Sequence, residues 1–228
     1  MTIRANDISG STPVSAIAVG TKASSTNRLY RNAGKRFLDL ALVVGSAVFV
    51  APVILLLAAL VALDGHNPFY WQSRVGLNGR SFRLWKLRTM VPKADEKLEA
   101  YLAANPEARE EWDTTQKLKS DPRITRVGRI LRKSSLDELP QLINVLTGDM
   151  SLVGPRPMME AQREMYPGEA YYRMRPGITG TWQISDRNDC SFRGRAQFDD
   201  LYEQKITLGE DIRILKQTFS VVFRCTGY

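Results

Sequence analysis

The chain has 228 residues, a formal net charge of +8 at pH 7 and 43% hydrophobic residues. This length allows one substantial domain plus an appendage. With a single histidine and two cysteines, the composition excludes a histidine-dependent catalytic triad, a disulfide framework and a cysteine-based metal site. A basic chain of this kind suits nucleic acid or an anionic membrane. Because the sequence has no dense basic helix and no stacking-aromatic motif, we expect no nucleic-acid partner.

Residues 1–34 predict a mobile, basic N-terminal tail. The segment is rich in Ser, Thr, Ala, Gly and Asn and shows no sustained hydrophobic periodicity, which is typical of disordered sequence. Up to residue 36 the chain contains six basic residues and one acidic residue. Positive charge immediately before an apolar run fits the anionic cytoplasmic leaflet, where each basic residue contributes about 1 kcal/mol to binding.

An uncharged apolar run of 24 residues, 40–63, is interrupted near its centre by Pro52. As a straight helix it would rise about 36 Å, enough to cross a hydrocarbon core of about 30 Å. Pro52 should kink such a helix, because proline lacks an amide hydrogen and clashes with the preceding turn. Basic residues flank both sides of the run, so the positive-inside rule favours neither end as external. We therefore predict a re-entrant membrane helix over 35–66, kinked at Pro52, with a spanning helix as the alternative.

Residues 67–228 are predicted to form one compact domain. Two β-rich runs flank an Asn-Gly dipeptide at 78–79, which is typical of a type I′ hairpin turn. The charged segment 92–118 predicts a pair of solvated helices divided by Pro106, and a helix with an apolar stripe is predicted over 206–223. The expected fold class is α/β, mainly α with a β-hairpin, with amphipathic helices at the surface.

The segment 134–157, SSLDELPQLINVLTGDMSLVGPRP, places adjacent carboxylates, Asp137 and Glu138, among prolines, glycines and arginines. Ser135 and Glu138 match a capping box, so one interpretation is that the acidic pair only caps a helix. Pro140 argues against it, because its missing amide hydrogen and its ring would cost that helix a hydrogen bond. A chain break before Pro140 is the alternative, and it leaves both carboxylates at a junction between two helices.

Basic residues near this junction predict an anion site. Arg132 belongs to a short basic helix, and Arg156 lies in a tightly turned loop, where it is either a phosphate ligand or a solvated turn residue. Lys86 and Arg88 alternate on the second hairpin strand, so they point to one face, toward the anion site or toward lipid headgroups. If Arg132 and Arg156 fold close to the carboxylates, their charge should keep a carboxylate ionised. An ionised aspartate can attack phosphorus while its neighbour binds a divalent cation or manages a proton.

Several of these pieces resemble the small monotopic phosphoglycosyl transferases, the bacterial sugar transferase family that starts surface-polysaccharide assembly. The matching pieces occur in family order: KRFLD (35–39), RVG (74–76), FRLWKLRTM (82–90), DPRIT (121–125), LRKSSLDELPQLINVLTGDMSLVGPRP (131–157) and RPGITGTWQ (175–183). DTTQKLKSDPRITR and SDRNDCSF are similar to the exopolysaccharide-initiating ExoY-like branch, which is associated with UDP-galactose or UDP-glucose. One departure is Ala51 before Pro52, where family members often have Ser, so the bend is expected to be held less firmly.

The resemblance implies an enzyme of the bacterial inner membrane with its catalytic domain on the cytoplasmic face. It would move a hexose 1-phosphate (galactose or glucose) from a UDP-sugar to undecaprenyl phosphate and release UMP, as the first step of exopolysaccharide repeat-unit synthesis. Asp137 would form a covalent phosphosugar intermediate, and Glu138 would help to activate the lipid phosphate. The expected cofactor is Mg²⁺, held by Asp137 and Glu138.

The resemblance also implies binding residues and partners. Arg132 and Arg156 would hold the phosphates, with Lys86 and Arg88 as further candidates. Matching positions make the 175–183 loop a candidate for the uridine end, through Arg175, Gly177, Thr179 and Gln183. The partners are the UDP-sugar, undecaprenyl phosphate and inner-membrane lipids, and the sequence leaves open a homodimer and contacts with downstream glycosyltransferases. Two other functions remain as alternatives: a non-catalytic scaffold of polysaccharide export and a polyprenyl-phosphate hydrolase.

Overall fold

The computed structural model of the chain describes residues 28–115, 118, 120–185 and 192–223. Most of the predicted tail, residues 1–27, lies outside this part of the chain. Residues 28–34 are helical and lead directly into the long N-terminal helix. The described residues form a mainly helical fold with two small two-stranded sheets, which agrees with the predicted α/β class.

The described residues form eight α-helices and four strands. The helices are α1 Lys35–Ala62, α2 Ala94–Ala104, α3 Pro106–Thr115, α4 Arg126–Ser134, α5 Gln141–Thr147, α6 Thr181–Ile184, α7 Arg195–Lys205 and α8 Leu208–Phe223. The strands are β1 Phe69–Val75, β2 Ser81–Leu87, β3 Ser151–Val153 and β4 Gly177–Thr179. The predicted division of the charged segment at Pro106 is confirmed, and the predicted C-terminal helix begins two residues later than expected, at Leu208.

The long helix α1 is continuous through Pro52. Helical structure thus continues past this proline, and the predicted kink stays a prediction. Proline removes only one backbone donor, and the turns on either side keep their own hydrogen bonds. By length and composition, the helical stretch Tyr30–Ala62 is apolar enough to cross a membrane.

Both ends of α1 contact the rest of the fold. Near its start, Arg36 donates a hydrogen bond to the carbonyl oxygen of Val145 at 2.5 Å. Near its end, the carboxylate of Asp64 and the carbonyl oxygen of Val61 accept hydrogen bonds from Arg88 at 2.5 and 3.3 Å. The stretch between these contacts carries exposed apolar side chains, including those of Val44, Val48, Phe49, Leu55 and Leu56. The helix is thus held at both ends and exposed in the middle.

The predicted β-hairpin is confirmed. Strands β1 and β2 pair antiparallel from Phe69 opposite Leu87 to Val75 opposite Ser81. Asn78 and Gly79 both adopt positive φ angles, 55° and 74°, as the type I′ turn requires. The side chain of Asn144 on α5 binds the outer edge of β2: it donates to the carbonyl oxygen of Arg83 and accepts from the amide of Trp85. These two hydrogen bonds attach α5 to the hairpin.

A short parallel pair of strands, β3 and β4, positions the loop that carries Arg156. Ser151 lies opposite Gly177, and Val153 lies opposite Thr179. Gly154 and Gly177 approach so closely that a Cβ on Gly177 would lie 2.1 Å from the amide nitrogen of Gly154. The loop that follows β3 then crosses to the hairpin, where the amide of Val75 donates to the carbonyl oxygen of Met158 at 3.0 Å. Arg156 is carried by this loop between the two sheets.

Candidate active site

The acidic pair lies at a junction between α4 and α5. Helix α4 ends where Ser135 adopts a left-handed conformation with a φ of 57°. A single 3₁₀ turn, Leu136–Glu138, follows, and α5 begins after Pro140. The side chain of Ser135 makes no capping hydrogen bond to this turn. The capping-box interpretation is therefore wrong, and the predicted chain break is confirmed.

Asp137 is a buried carboxyl group surrounded by charges of both signs. Its exposed fraction is 7%, and this burial raises its pKa above the ordinary aspartate value. The charges of Lys86 and Arg132 lower the pKa, and that of Glu138 raises it, but burial dominates. Burial therefore opposes the ionised form that the neighbouring cations favour, and the ionisation of this carboxylate stays a prediction. The Asp137 carboxyl loses its proton more readily when a further cation binds beside it.

Glu138 connects the hairpin to the junction. The ammonium group of Lys86 donates to Oε1 of Glu138 at 2.7 Å, and Nη2 of Arg156 lies 4.0 Å from the same oxygen. Lys86 on β2 and Arg156 on the loop after β3 are thereby brought to one carboxylate from two different sheets. The predicted grouping of these three residues is observed.

Arg132 reaches the junction from α4. Its Nε donates to the hydroxyl oxygen of Thr89 at 2.9 Å. The carbonyl oxygen of Thr89 also lies 2.1 Å from the position that a Cβ on Gly128 would occupy, so only glycine allows this close approach. Burial lowers the pKa of Arg132, and the charge of Asp137 opposes that effect. Arg132 therefore belongs to the electrostatic environment of the predicted nucleophile.

Arg88 is hydrogen-bonded at the end of α1. Its guanidinium contacts the carboxylate of Asp64 and the carbonyl oxygens of Val61 and Asn67, at the end of α1. Alternation along a strand placed it on the same face as Lys86, but β2 ends at Leu87, so the alternation no longer applies. The structure therefore places Arg88 at the end of α1, and its assignment as a phosphate ligand stays a prediction.

Three of the four predicted nucleotide-binding residues are packed inside the fold. Gly177 is pressed against Gly154, and Thr179 is buried with its hydroxyl group hydrogen-bonded to Thr218 at 2.6 Å. Gln183 is buried and donates to a backbone carbonyl oxygen of β4. Arg175 is exposed, and its Nε donates to the carbonyl oxygen of a glycine after α5. The geometry gives this loop a packing role and offers no support for its interpretation as the uridine site.

A pocket lined by arginine and aromatic side chains lies beside the loop and was missed in the sequence. Trp182 lies under two guanidinium groups, with that of Arg195 at 4.0 Å and that of Arg156 at 5.9 Å from the ring centroid. Tyr166 and Tyr171 form another part of the lining. The sequence indicated part of this pocket, because Trp182 follows the RPGITG turn. It did not indicate Arg195, which comes from a separate helix.

A comparison with protein families settles the broader relationship. A family model described as bacterial sugar transferase matches residues 30–225 of the chain. The chain belongs to the bacterial sugar transferase family. The resemblance inferred from the motifs is thereby confirmed.

Curated relatives within this family carry specific names. The chain is 48% identical to the exopolysaccharide production protein ExoY of Rhizobium meliloti, over 85% of the chain and 87% of that protein. It is 47% identical to an undecaprenyl-phosphate galactose phosphotransferase of Salmonella typhimurium, over 85% of the chain. It is 36% identical to the UDP-glucose:undecaprenyl-phosphate glucose-1-phosphate transferase of Escherichia coli K12, over 90% of the chain. The matches span only 41% and 42% of the latter two proteins.

For this bacterial sugar transferase, Asp137 and Glu138 form the minimum set that fits the expected Mg²⁺. Magnesium commonly takes one or two protein carboxylates and completes its shell with water and substrate phosphates. Among the described residues, no group of three or more His, Cys, Asp or Glu side chains could hold a metal ion by itself. The donor set is therefore compatible with a metal whose remaining ligands come from the substrate.

Proposed function

We propose that the chain is a membrane-bound phosphoglycosyl transferase that moves a hexose 1-phosphate, galactose or glucose, from a UDP-sugar to undecaprenyl phosphate. The observation that carries this proposal is the acidic pair Asp137 and Glu138 at a helix junction, with Lys86, Arg132 and Arg156 around it. Membership of the sugar transferase family and the names of the relatives support the substrates. The reaction would begin an exopolysaccharide repeat unit.

The proposed chemistry proceeds in two displacements on one phosphorus atom. First, a carboxylate oxygen of Asp137 attacks the sugar-bearing phosphorus, the bond to the bridging oxygen breaks, and UMP leaves with that electron pair. Second, a phosphate oxygen of undecaprenyl phosphate attacks the same phosphorus and releases the Asp137 carboxylate. Glu138 lies beside this group and can accept a proton from the incoming lipid phosphate.

Positive charge supports both displacements. Lys86 and Arg132 act on the Asp137 carboxyl, and both counteract the effect of its burial on the pKa. Bound Mg²⁺, held by Asp137 and Glu138, would supply further neutralisation of phosphate charge. The protein's own cations orient the substrate phosphates and disperse the charge that develops on the leaving group.

The packing of α1 supports a re-entrant path through one leaflet. Val43 lies in a buried cluster with Leu84, and Ala58 lies in a buried cluster with Leu87. Fifteen residues of straight helix extend about 22 Å, whereas three residues of a strand extend about 10 Å. Both halves of the helix thus belong to buried clusters that include residues of one short part of β2, which suits a bent helix that enters and leaves on the same side.

Exposed apolar side chains on other helices fit a domain seated on the same membrane surface. They include Val127 and Ile130 on α4, Ile143 and Leu146 on α5, and Leu208, Ile212 and Phe219 on α8. Helices that expose apolar residues beside basic ones bind at the boundary between headgroups and acyl chains. We propose the cytoplasmic face of a bacterial inner membrane, where a polyprenyl phosphate would present its headgroup to the junction.

The decisive experiment measures UMP release by the full-length protein in nanodiscs, with UDP-galactose or UDP-glucose, undecaprenyl phosphate and Mg²⁺. We expect UMP and a lipid-linked sugar diphosphate from the wild type. Asp137→Asn should lower the rate by about 10³-fold or more, since loss of a nucleophile removes the covalent step. The matched control is Asp95→Asn, a change at an exposed aspartate on α2.

Two results would contradict the proposal. Release of free sugar or phosphate without the polyprenyl acceptor would indicate the hydrolase instead. Absence of UMP release with either sugar nucleotide would favour the non-catalytic scaffold. Full activity of Asp137→Asn would leave the transferase intact but remove its proposed nucleophile.

A further inference from the structure

Arg74 on β1 is a buried arginine whose charge has no carboxylate partner within hydrogen-bonding distance among the described residues. Its exposed fraction is 9%. One guanidinium nitrogen, Nη2, donates to Oε1 of Gln72 at 2.7 Å. The other two nitrogens, Nε and Nη1, are buried and have no hydrogen-bond partner in the described part of the chain. Burying unpaired donors on a permanently charged group is costly, so the arrangement is understandable if an anion completes it.

The hairpin directs Arg74 to the same side as the active-site lysine. Tyr70 lies opposite Lys86 in the antiparallel pair, and Arg74 lies opposite Phe82. Positions separated by an even number of residues on a strand share a face, so Lys86 and Arg74 lie on one face of the hairpin. Four residues along β1 correspond to about 13 Å. Arg74 therefore extends the line of positive charge away from the acidic pair.

Two charges of the active site act on the Arg74 guanidinium. Burial is the main factor that lowers its pKa, and the like charge of Arg156 lowers it further, whereas the charge of Glu138 raises it. Two arginines whose charges act on each other beside the Glu138 carboxylate form a region that favours a multiply charged anion. Arg156 is in contact with both Glu138 and the ring of Trp182, so this region joins the acidic pair to the aromatic pocket.

We propose that Arg74, together with Arg156, binds the nucleotide-side phosphate of the UDP-sugar, the group that becomes the phosphate of UMP. This inference rests on the transferase function proposed above. Asp137 forms its bond to the sugar-side phosphorus, the bond to the bridging oxygen breaks, and that oxygen leaves on UMP with the electron pair. Arg74 stabilises the charge that accumulates there and compensates for its own burial at the same time.

Binding measurements with UMP and uridine test the inference, because only UMP carries the phosphate. The full-length protein in nanodiscs is titrated with each ligand as the wild type, Arg74→Gln and Arg74→Lys. We expect Arg74→Gln to weaken UMP binding by about 10-fold or more, as for loss of a charged hydrogen-bonding partner, and to leave uridine binding within about twofold. Arg74→Lys should give an intermediate loss for UMP, because it keeps the charge without the fork.

The control is Arg83→Gln, which changes an exposed arginine of β2 that lies over Trp71 on the opposite face of the hairpin. It should bind both ligands as the wild type does. Equal effects of Arg74→Gln on UMP and uridine, or no effect on either, would overturn the inference. Failure of both Arg74 variants to fold would also overturn it, because Arg74 would then be a structural requirement. A wild type that releases no UMP in the activity assay would instead contradict the transferase function itself.

Discussion

Burial and charge act in opposite directions on the Asp137 carboxyl. Burial raises its pKa, and Lys86 is the strongest of the neighbours that lower it. A nucleophilic carboxylate must be ionised, so activity should fall as the pH decreases through this raised pKa. The acid limb of the activity profile is thus expected above the ordinary range of an aspartate. The charge of Lys86 determines how far above that range the acid limb lies.

Replacing Lys86 by Met should move that acid limb to higher pH, because the substitution removes a positive charge that favours the ionised form of Asp137. The measurement is kcat/KM for UMP release as a function of pH, since this ratio reports groups of the free enzyme. Lys86→Arg should restore much of the original profile. Lys97→Met, at an exposed lysine of α2, is the control. An acid limb that stays in place or moves to lower pH in Lys86→Met would contradict the electrostatic role of the lysine.

Among the helices and strands, Arg88 attaches the end of the hairpin to the end of α1. Arg88 binds Asp64 and two carbonyl oxygens there, so Arg88→Gln should loosen the attachment of α1. We expect a lower Tm for the protein in nanodiscs and a KM for the UDP-sugar within about twofold of the wild type. Arg80→Gln, at an exposed arginine in the hairpin turn, should change neither. An unchanged Tm with a KM increased about 10-fold would indicate instead that Arg88 binds the substrate phosphates.

The attachment of α1 at both ends leads to a topological prediction. Single cysteines introduced at Leu29 and at Tyr70, in a background lacking Cys190 and Cys225, should both react with a membrane-impermeant reagent from the cytoplasmic side. A re-entrant helix requires this, because its two ends lie on one face. Labelling of the two positions from opposite sides would show instead that the helix spans the bilayer.

At the scale of the whole molecule, local backbone chemistry was predictable from the sequence. The Asn-Gly turn and the break before Pro140 depend on φ preferences and on missing amide hydrogens, which residue identity determines. The basic residues near the acidic pair predicted an anion site, and the family motifs implied that Arg132 and Arg156 hold the phosphates there. Helix α1 runs through Pro52 because a proline's cost is local while the turns around it act together, and the kink there stays a prediction.

Residue roles that depend on tertiary packing could not be predicted. Strand alternation predicted that Arg88 shares a face with Lys86, but the strand ends one residue before Arg88. The 175–183 loop has a composition suited to ligand binding, yet its glycines serve the close approach of β3 and β4. Arg74 carries no sequence signal of burial, and its unpaired nitrogens appear only when the hairpin packs against the rest of the fold.

The stability of the folded protein should depend on pH through Asp199. This carboxyl is buried, which raises its pKa to about 7; the hydrogen bond from Tyr166 and the charge of Arg195 oppose the shift, and Asp200 adds to it. The folded protein therefore keeps a proton that the unfolded chain releases near pH 4. Stability falls as the pH rises from about 4 to about 7, because the folded state binds more protons in this range.

Asp199→Asn should reduce this pH dependence, because the amide cannot ionise and its oxygen still accepts the hydrogen bond from Tyr166. The measurement is the Tm of the full-length protein in nanodiscs at about pH 5.5 and about pH 7.5, where the wild type should be less stable at the higher value. Asp113→Asn, at an exposed aspartate on α3, should retain the wild-type difference. Other buried carboxyls such as Asp137 contribute in the same direction, so the difference should shrink without vanishing. An Asp199→Asn variant with the full wild-type difference would show that Asp199 does not couple protonation to folding.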